Sequence, residues 1–348
     1  MHRVKGLLRS SRSGTSVQGP PDEAAGVKQL ASLVSPDTIA AYAGTSELPS
    51  GPAAPAEVEQ LLGRYWRAEK GSVEKAAKRL EQQAAWHRGF GVVTQEAIAA
   101  ELACGKVKLQ PPAAGSSGRP LLIVKARLHK PGATPQAINQ FICYCLETAC
   151  HYCWHADNPD GKLVAVFDLG GLQVKNLDAT ALRASFTMLA QHFPERMLSV
   201  WMLDAPTIFW GLWKIVEPFV DATARKNIRF VNGQAGRAAL VESLGPAVVP
   251  LEYGGTAAEV PVEMAAQQLA TWQRQQQHRG SPPATQCQAT VTDIKHGWAA
   301  DGGGKGGEVF AGRQQHGLLT AETPEALSPR SMRPVSSSPS LAQGAQPS

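Results

Sequence analysis

The densest group of chemically capable residues is the run CYCLETACHYC at 143–153, in which Cys143, Cys145, Cys150 and Cys153 surround His151, with His155 just beyond. Thiolates and imidazoles are zinc ligands, and a structural zinc needs four of them converging as a tetrahedron. The periodicity argues against that. Ile138, Phe141, Ile142, Cys145, Leu146, Ala149 and Cys153 recur at helical spacing, which predicts an amphipathic helix. At about 100° per residue, Cys145 and Cys153 fall inside its apolar stripe, while Cys143 lies about 160° from Cys145. The cysteines read as small buried hydrophobes, reduced, in an intracellular protein, with no metal. Two aspartates, Asp168 and Asp204, close apolar strand patterns, where a carboxylate pair could do acid–base work. Such residues more often cap turns and helices. The sequence has no Gly-x-Ser-x-Gly elbow and no His-Glu-x-x-His, the local signatures of two large hydrolase classes. The turn Asp168-Leu-Gly-Gly falls short of a dinucleotide fingerprint. No catalytic residue and no cofactor is expected.

Those strand ends belong to an alternating pattern. LLIVKARL (121–128), KLVAVFDL (162–169), MLSVWMLD (197–204) and NIRFV (227–231) read as strands. Between them lie helices over 135–154, over a stretch carrying Leu182, Phe186, Leu189, Ala190 and Phe193 on one face, and over Thr207–Val220; Ala235–Leu244 and AVVPLEYGG follow. Continuous apolar strands alternating with helices predict an α/β fold on a largely parallel sheet. Upstream, Val58, Leu61, Leu62, Tyr65 and Trp66 mark one helix and Val73, Ala77, Leu80 and Ala84 a second, with Ser72 as N-cap.

The flanks have a different composition. Residues 1–56 are rich in Ser, Gly, Pro and Ala, with one short amphipathic patch from Val27 to Tyr42, and residues from about 273 onward are rich in Gln, Gly, Ser and Pro. Neither reads as able to bury enough apolar area to offset chain entropy, so both are expected to be disordered. The divisions are a 1–56 arm, a 57–91 helical segment, a 92–272 α/β domain and a 273–348 tail. The start MHRVKGLLRSSRSGTSVQG has no apolar core of a secretory signal; it reads as a disordered arm, with an organelle transit peptide as the alternative. No run of 18 apolar residues spans a bilayer. The net charge of +5 over 348 residues, with no dense basic-aromatic clustering, speaks against nucleic acid as a partner. Seven basic against three acidic side chains between Arg64 and Arg88 would suit transient contact with an anionic membrane surface, at about 1 kcal/mol per cation, or simply a solvated helix face.

One segment stands apart. In APTIFWGLWKIVEPFVD, Ile208, Phe209, Trp210, Leu212, Trp213, Ile215, Val216, Phe219 and Val220 surround the helix on nearly every side, and within Thr207–Val220 only Lys214 and Glu217 are charged. A helix that is apolar all round is either deeply buried or faces lipid, and its two tryptophans suit a membrane–water boundary.

These residues resemble a known family. LLGRYWRAEKGSVEKAAKRLEQQAAWHRGFG (61–91) is similar to the amino-terminal helical segment of the CRAL-TRIO, or Sec fourteen-like, lipid-transfer proteins, and GRPLLIVKARLHKP (118–131) to their first core strand. VFDLGGL, HFPERM, LDAPTIFWGLWKIVEPFVD and VPLEYGG follow in the same order, so that the resemblance covers roughly residues 58–255. It implies a β-sheet floor under a hydrophobic pocket for one lipid, with helices around it and a small helical segment in front. The helix at Thr207–Val220 would be the gate, with Ile208, Phe209, Trp210, Leu212, Trp213, Val216 and Phe219 lining the pocket or meeting the membrane. The implied function is binding a phospholipid such as phosphatidylinositol, or another hydrophobic ligand, and moving it between membranes, as a cytoplasmic, peripherally membrane-associated protein. The alternatives are a scaffold of the same fold that exchanges no lipid and, further off, an α/β enzyme. For the headgroup the resemblance points to Glu195 in Pro-Glu-Arg and to a Thr and a Lys after the gate. This chain has Ala224 and Asn227 at those two places in register, with Thr223 and Lys226 displaced by one residue; Gln173 and Lys175 follow the Asp-x-x-Gly turn.

Overall fold

The computed structural model describes residues 22–279, except 49–52, 155–156 and 221. In chain order the elements are α1 (Glu23–Leu33), α2 (Pro36–Ala40), α3 (Pro55–Ala68), α4 (Val73–Phe90), α5 (Ala99–Leu102), β1 (Val107–Gln110), β2 (Leu121–Lys125), α6 (Pro135–His151), β3 (Leu163–Asp168), α7 (Ala179–His192), β4 (Met197–Leu203), α8 (Thr207–Val216), α9 (Ala222–Lys226), β5 (Ile228–Val231), α10 (Gly233–Leu244) and α11 (Val262–Arg279). The strands form one sheet in the order β1-β2-β3-β4-β5. β2 to β5 are parallel, each joined to the next by a helical crossover, and β1 adds an antiparallel edge. The expected α/β class on a largely parallel sheet is the one observed.

Strand side chains alternate between two faces, and the two faces carry different cores. Leu121, Ile123, Val164, Val166, Trp201 and Leu203 pack with Leu240 and Leu244 of α10 and with Val248, Val249 and Tyr253. The opposite face, with Leu122, Ala165, Val200 and Met202, packs with α6, α7 and α8. Helix starts follow local chemistry: Ser72, Thr134 and Asp178 each accept a backbone N–H from the first turn of α4, α6 and α7, as N-caps do. The predicted helix to Val220 instead leaves α-geometry after Val216 and closes in a 3-10 turn at Glu217–Phe219. Pro218 lacks the N–H that would continue it.

The amino-terminal division differs from the expected disordered arm. Residues 22–48 form α1, α2 and a following loop, and Val27, Leu30, Ala31, Val34, Ile39, Tyr42 and Leu48 share a buried core with Leu61, Leu62, Tyr65, Trp66 and Leu80 of α3 and α4. The Ser/Gly/Pro-rich composition averaged out the patch at Val27–Tyr42, whose apolar face is completed only by helices that come later in the chain. At the other end α11 runs to Arg279, past the expected boundary at 272. The remainder of the predicted tail, like residues 1–21, lies outside the described residues.

A polar clasp ties this helical unit to the α/β domain. Glu47 is ion-paired with Arg64 of α3 and with Arg196 before β4, at 3.1 Å from Arg196 Nη2, and all three are fully buried. Arg196 also donates to the carbonyls of Ser46 (2.9 Å) and Gly161 (3.0 Å). Next to it, the Ser46 N–H donates to Glu147 on α6 at 2.8 Å. Burial pushes the Glu147 carboxyl up to about 7 despite that bond. Because the folded chain holds this proton more tightly than the unfolded one, the stabilisation is complete at low pH and is lost as pH rises from about 4.5 to about 7. Glu147→Gln keeps the acceptor and removes the titration. Thermal melts should show the variant more stable than wild type at about pH 8 and equal to it near pH 4.5; equal melting at both would show Glu147 to be solvated.

Candidate functional site

The sheet face turned toward α6, α7 and α8 does not close completely. A cavity of about 140 Å³ remains. Leu122, Val124, Ala165 and Phe167 form its floor, and Ile138, Phe141, Ile142, Cys145 and Leu146 of α6 form one wall. Ala181, Leu182, Ser185 and Leu189 of α7, with Phe209 and Leu212 of α8, form the rest of the enclosure. The alternation of the strands and the i, i+3, i+4 spacing on α6 put all these apolar groups on one surface. This volume is below the roughly 300–1,000 Å³ of pockets that enclose drug-sized ligands. A larger occupant therefore requires a wall to move.

α8 is the wall with divided loyalties. Phe209, Trp213 and Val216, spaced i, i+4 and i+7, are buried. Phe209 stacks on Trp213 with centroids 6.2 Å apart, and Trp213 meets the ring of Phe186 edge-on at 6.0 Å. On the outer side Ile208, Trp210, Ile215 and Phe219 are 37%, 40%, 60% and 48% exposed. Trp210 leans on Phe230 of β5, and the Arg183 guanidinium lies 3.7 Å from the Phe219 ring centre. Of the seven expected gate residues, Phe209 and Leu212 reach the cavity, Trp213 and Val216 pack behind it, and Ile208, Trp210 and Phe219 face outward.

Residues expected from the resemblance to meet a headgroup sit elsewhere. Gln173 and Lys175 are exposed on the turn after β3, and Lys226 is exposed on α9 beside a half-buried Asn227. Glu195 has a left-handed backbone, φ 57°, and its carboxylate accepts from Lys162 Nζ at 2.9 Å. None of these five lines the cavity; the side chain of Thr223 lies outside the described residues.

The polar groups that do line it were not singled out in the sequence. Lys106, just before β1, is buried and paired with Glu101, and its Nζ lies 2.9 Å from His129 Nδ1. His129 Nε2 lies 3.1 Å from Asp178 Oδ2, whose other oxygen accepts the Ala181 N–H at 2.9 Å. Burial opposes charge on Asp178, but that N–H and His129 hold its carboxyl below the ordinary value. Asn176 fixes the approach by donating to the carbonyls of Arg127 (3.1 Å) and His129 (2.9 Å). Two polar positions flanking the strand pattern, His129 after LLIVKARL and the helix-capping Asp178, were the available signal; their convergence with Lys106 depends on the fold.

The strand-end aspartates are engaged. Asp168 pairs with Arg127 and accepts from Tyr253 Oη (2.9 Å) and the Gly170 N–H (3.0 Å); the turn it holds needs the positive φ of Gly171, 73°. Asp204 pairs with Arg237 and accepts the Gly233 N–H at 2.7 Å. Cys143, Cys145, Cys150 and Cys153 are all buried, Cys143 included, because α6 is covered on both sides. Burial pushes the Cys143 and Cys145 thiols well up from their ordinary value. No described helix is long and apolar enough to cross a membrane.

Comparison with known proteins follows the same outline. The chain is 25% identical over 212 residues to the phosphatidylinositol transfer protein CSR1 of Eremothecium gossypii, covering 57% of this chain and 47% of that protein. It is 23% identical over 211 residues to the CRAL-TRIO domain-containing protein C3H8.02 of Schizosaccharomyces pombe, covering 56% and 45%. The chain thus spans about half the length of these curated relatives. A crystal structure of Sfh5 superposes with a TM-score of 0.53 at 16% identity, over 74% of this chain and 97% of that one, which establishes likeness of fold. The family model for the CRAL/TRIO domain matches residues 108–255, the stretch holding all five strands except the first residue of β1, together with α6 to α10. Residues 108–255 of the chain thus match the CRAL/TRIO domain, in sequence and in the fold that carries it.

Proposed function

We propose that this protein binds a single lipid in the cavity beneath α8 and carries or presents it between membranes, without catalysing a reaction. The observation that carries the reading is the double character of α8. Phe209 and Leu212 close an apolar cavity, while Ile208, Trp210, Ile215 and Phe219 of the same short segment are exposed. Exposed aromatics of this kind partition to the membrane–water boundary, and Lys214 on the same helix and Arg229 on β5 are exposed beside them to meet anionic headgroups. A membrane that takes up the outer face of α8 would free its inner face from the cavity. The energetic purpose is plain, since a lipid leaving a bilayer exposes its methylenes at about 0.8 kcal/mol each unless a pocket receives them. The phosphatidylinositol transfer activity in the name of the Eremothecium relative supports transfer as the activity class. The small volume favours one second reading, a scaffold that keeps the fold and never admits a lipid. Mass spectrometry of organic extracts from the purified chain, paired with transfer of a fluorescent phospholipid between vesicles, separates the two. Bound lipid near one per chain and catalysed transfer are expected. An empty protein that moves no lipid would favour the scaffold.

A further inference from the structure

We propose that Cys150 and Cys153, where α6 ends, are a dithiol that a small hydroperoxide oxidises to an intrachain disulfide, with Ser46 and Glu47 as the cover that controls access. The inference is independent of what the cavity binds. α6 ends at His151 and Tyr152 caps it. The Cys153 N–H then donates to the Cys150 carbonyl at 3.0 Å. A turn closed in this way holds its first and fourth Cα atoms within about 7 Å, and a disulfide needs about 4.4–6.8 Å. Cys153 Sγ folds back along the helix to 3.7 Å from the Ala149 carbonyl, and the two thiols hydrogen-bond to each other. Asn158 fixes the turn from beyond it, donating to the Cys153 carbonyl at 3.1 Å. Cys143 and Cys145 have no such relation, because residues two apart on a helix point to different sides.

Charge around the pair separates the two sulfurs. The Arg196 guanidinium interacts with both thiols and Arg64 with Cys153. Burial opposes a thiolate at either position. At Cys153 the hydrogen bond from Cys150 and the two guanidiniums prevail and hold the thiol below its ordinary value, whereas burial pushes Cys150 up. Cys153 is therefore the nucleophile, as thiols beside arginine are. Its thiolate attacks one oxygen of hydrogen peroxide: the S–O bond forms, the O–O bond breaks, and the departing hydroxide takes up a proton as water. Cys150 then gives up its proton and attacks the sulfenic sulfur of Cys153. The S–S bond forms, the S–O bond breaks, and hydroxide leaves with that proton as a second water. The two sulfurs lose two electrons and the peroxide gains them.

Both thiols are buried in the closed protein. A crevice of about 350 Å³ between residues 41–45, the end of α4 and α6 reaches Glu147, Thr148 and His151, close neighbours of Cys150 on its helix. Beside it the Ser46–Glu47 segment is tied down through the same Arg196 that faces the thiols. The Ser46 carbonyl accepts from Arg196 and from Trp154 Nε1, both at 2.9 Å, and Glu47 pairs with Arg196 at 3.1 Å. Lifting this segment is the local motion that uncovers the pair.

The test treats the full chain, carrying Cys104→Ser and Cys287→Ser to silence the other cysteines outside α6, with hydrogen peroxide under native conditions. Free thiols are then alkylated, and mass spectrometry of the intact chain and its peptides follows. A mass loss of two hydrogens, a peptide linking Cys150 to Cys153 and reversal by a dithiol reductant are expected, with Cys143 and Cys145 still reduced. Cys150→Ala should stop at a sulfenic acid on Cys153, trapped by a 1,3-dione, and Cys153→Ala should give neither the link nor the trapped acid. Trp154→Phe keeps the ring and removes one hydrogen bond from the cover, so linkage should form about two- to tenfold faster. Absence of the Cys150–Cys153 link from the folded, peroxide-treated chain would overturn the proposal even if the alanine variants fail to fold. Linkage that appears only in denaturant, or at the same rate in a folded Trp154→Phe, would overturn the role of the cover.

Discussion

Trp210→Asp is expected to fold like wild type and to transfer lipid at least about tenfold more slowly, whereas Trp213→Asp should lose both folding stability and transfer. The two tryptophans are three residues apart on one helix, yet Trp210 is 40% exposed and Trp213 6%. A charge at position 210 can reach water in the free protein, and the loss there is that of the ring contact with Phe230, about 0.5–1.5 kcal/mol. On docking it enters the membrane boundary, where the penalty is below the roughly 2.5–3.5 kcal/mol of the bilayer centre. Half of that, about 1.3–1.8 kcal/mol, brackets the roughly 1.4 kcal/mol that corresponds to a tenfold change in rate. The carboxylate introduced by Trp213→Asp would instead be wedged, unpaired, among the rings of Phe186, Phe209 and Phe230. That placement costs several kcal/mol in addition to the lost aromatic packing. Vesicle-to-vesicle transfer with thermal melts as control distinguishes the outcomes. A folded Trp210→Asp that transfers at the wild-type rate would show that the outer face of α8 does not meet the membrane.

Glu47→Ala should be among the most damaging single substitutions outside the sheet, although it lies in a segment that composition assigns to a disordered arm. Removing its carboxylate leaves Arg64 and Arg196 facing each other, both fully buried. Breaking a buried ion pair by deleting one partner costs about 3–5 kcal/mol, out of the roughly 5–15 kcal/mol that holds a domain together. Burial works against ionisation of Glu47, but the guanidiniums of Arg196 and Arg64 prevail and hold its carboxyl down to about 2. A depressed value in the folded state means the stabilisation is present above the ordinary value near 4.5 and is lost as pH falls toward about 2. Denaturant unfolding near neutral pH should therefore show a loss of several kcal/mol for Glu47→Ala, and the gap to wild type should narrow as the buffer is taken from about pH 5 to pH 2. A variant as stable as wild type would mean that residues 22–48 do not pack as described. Leu48→Ala provides an independent check at about 2–5 kcal/mol, the usual cost of truncating a buried leucine.

The α/β domain was readable because its information is local. The runs at 121–125, 163–168 and 197–203 are apolar on both faces, as only strands covered on both sides need to be, and the helices between them keep a 3.6 period. β1 escaped notice because four residues, VKLQ, with a lysine among them, carry almost no period, and what makes them a strand is pairing with β2. The amino-terminal helices escaped for a related reason. Val27, Leu30 and Tyr42 look like isolated apolar residues in a polar arm until α3 and α4 supply the opposing surface. Glu47 gives no sign in the sequence that two arginines 17 and 149 positions away will enclose it.

The cavity divides along the same line. The all-round apolar character of the segment singled out α8, and Phe209 and Leu212 of that segment line the cavity. Which of its faces looks inward was not legible, because large apolar side chains stand on both sides of the helix, and only packing against Phe186 and Phe230 decided that Trp213 goes in and Trp210 stays out. The polar end is the clearest case. Lys106, His129 and Asp178 are separated by 23 and 49 positions, each unremarkable alone. The sequence by itself determined that a parallel sheet would be buried under helices with an unusually apolar α8. Tertiary structure alone decided where that burial stops short and which charges gather at the gap, because contacts between distant residues are set by how whole elements pack and leave no period in the chain.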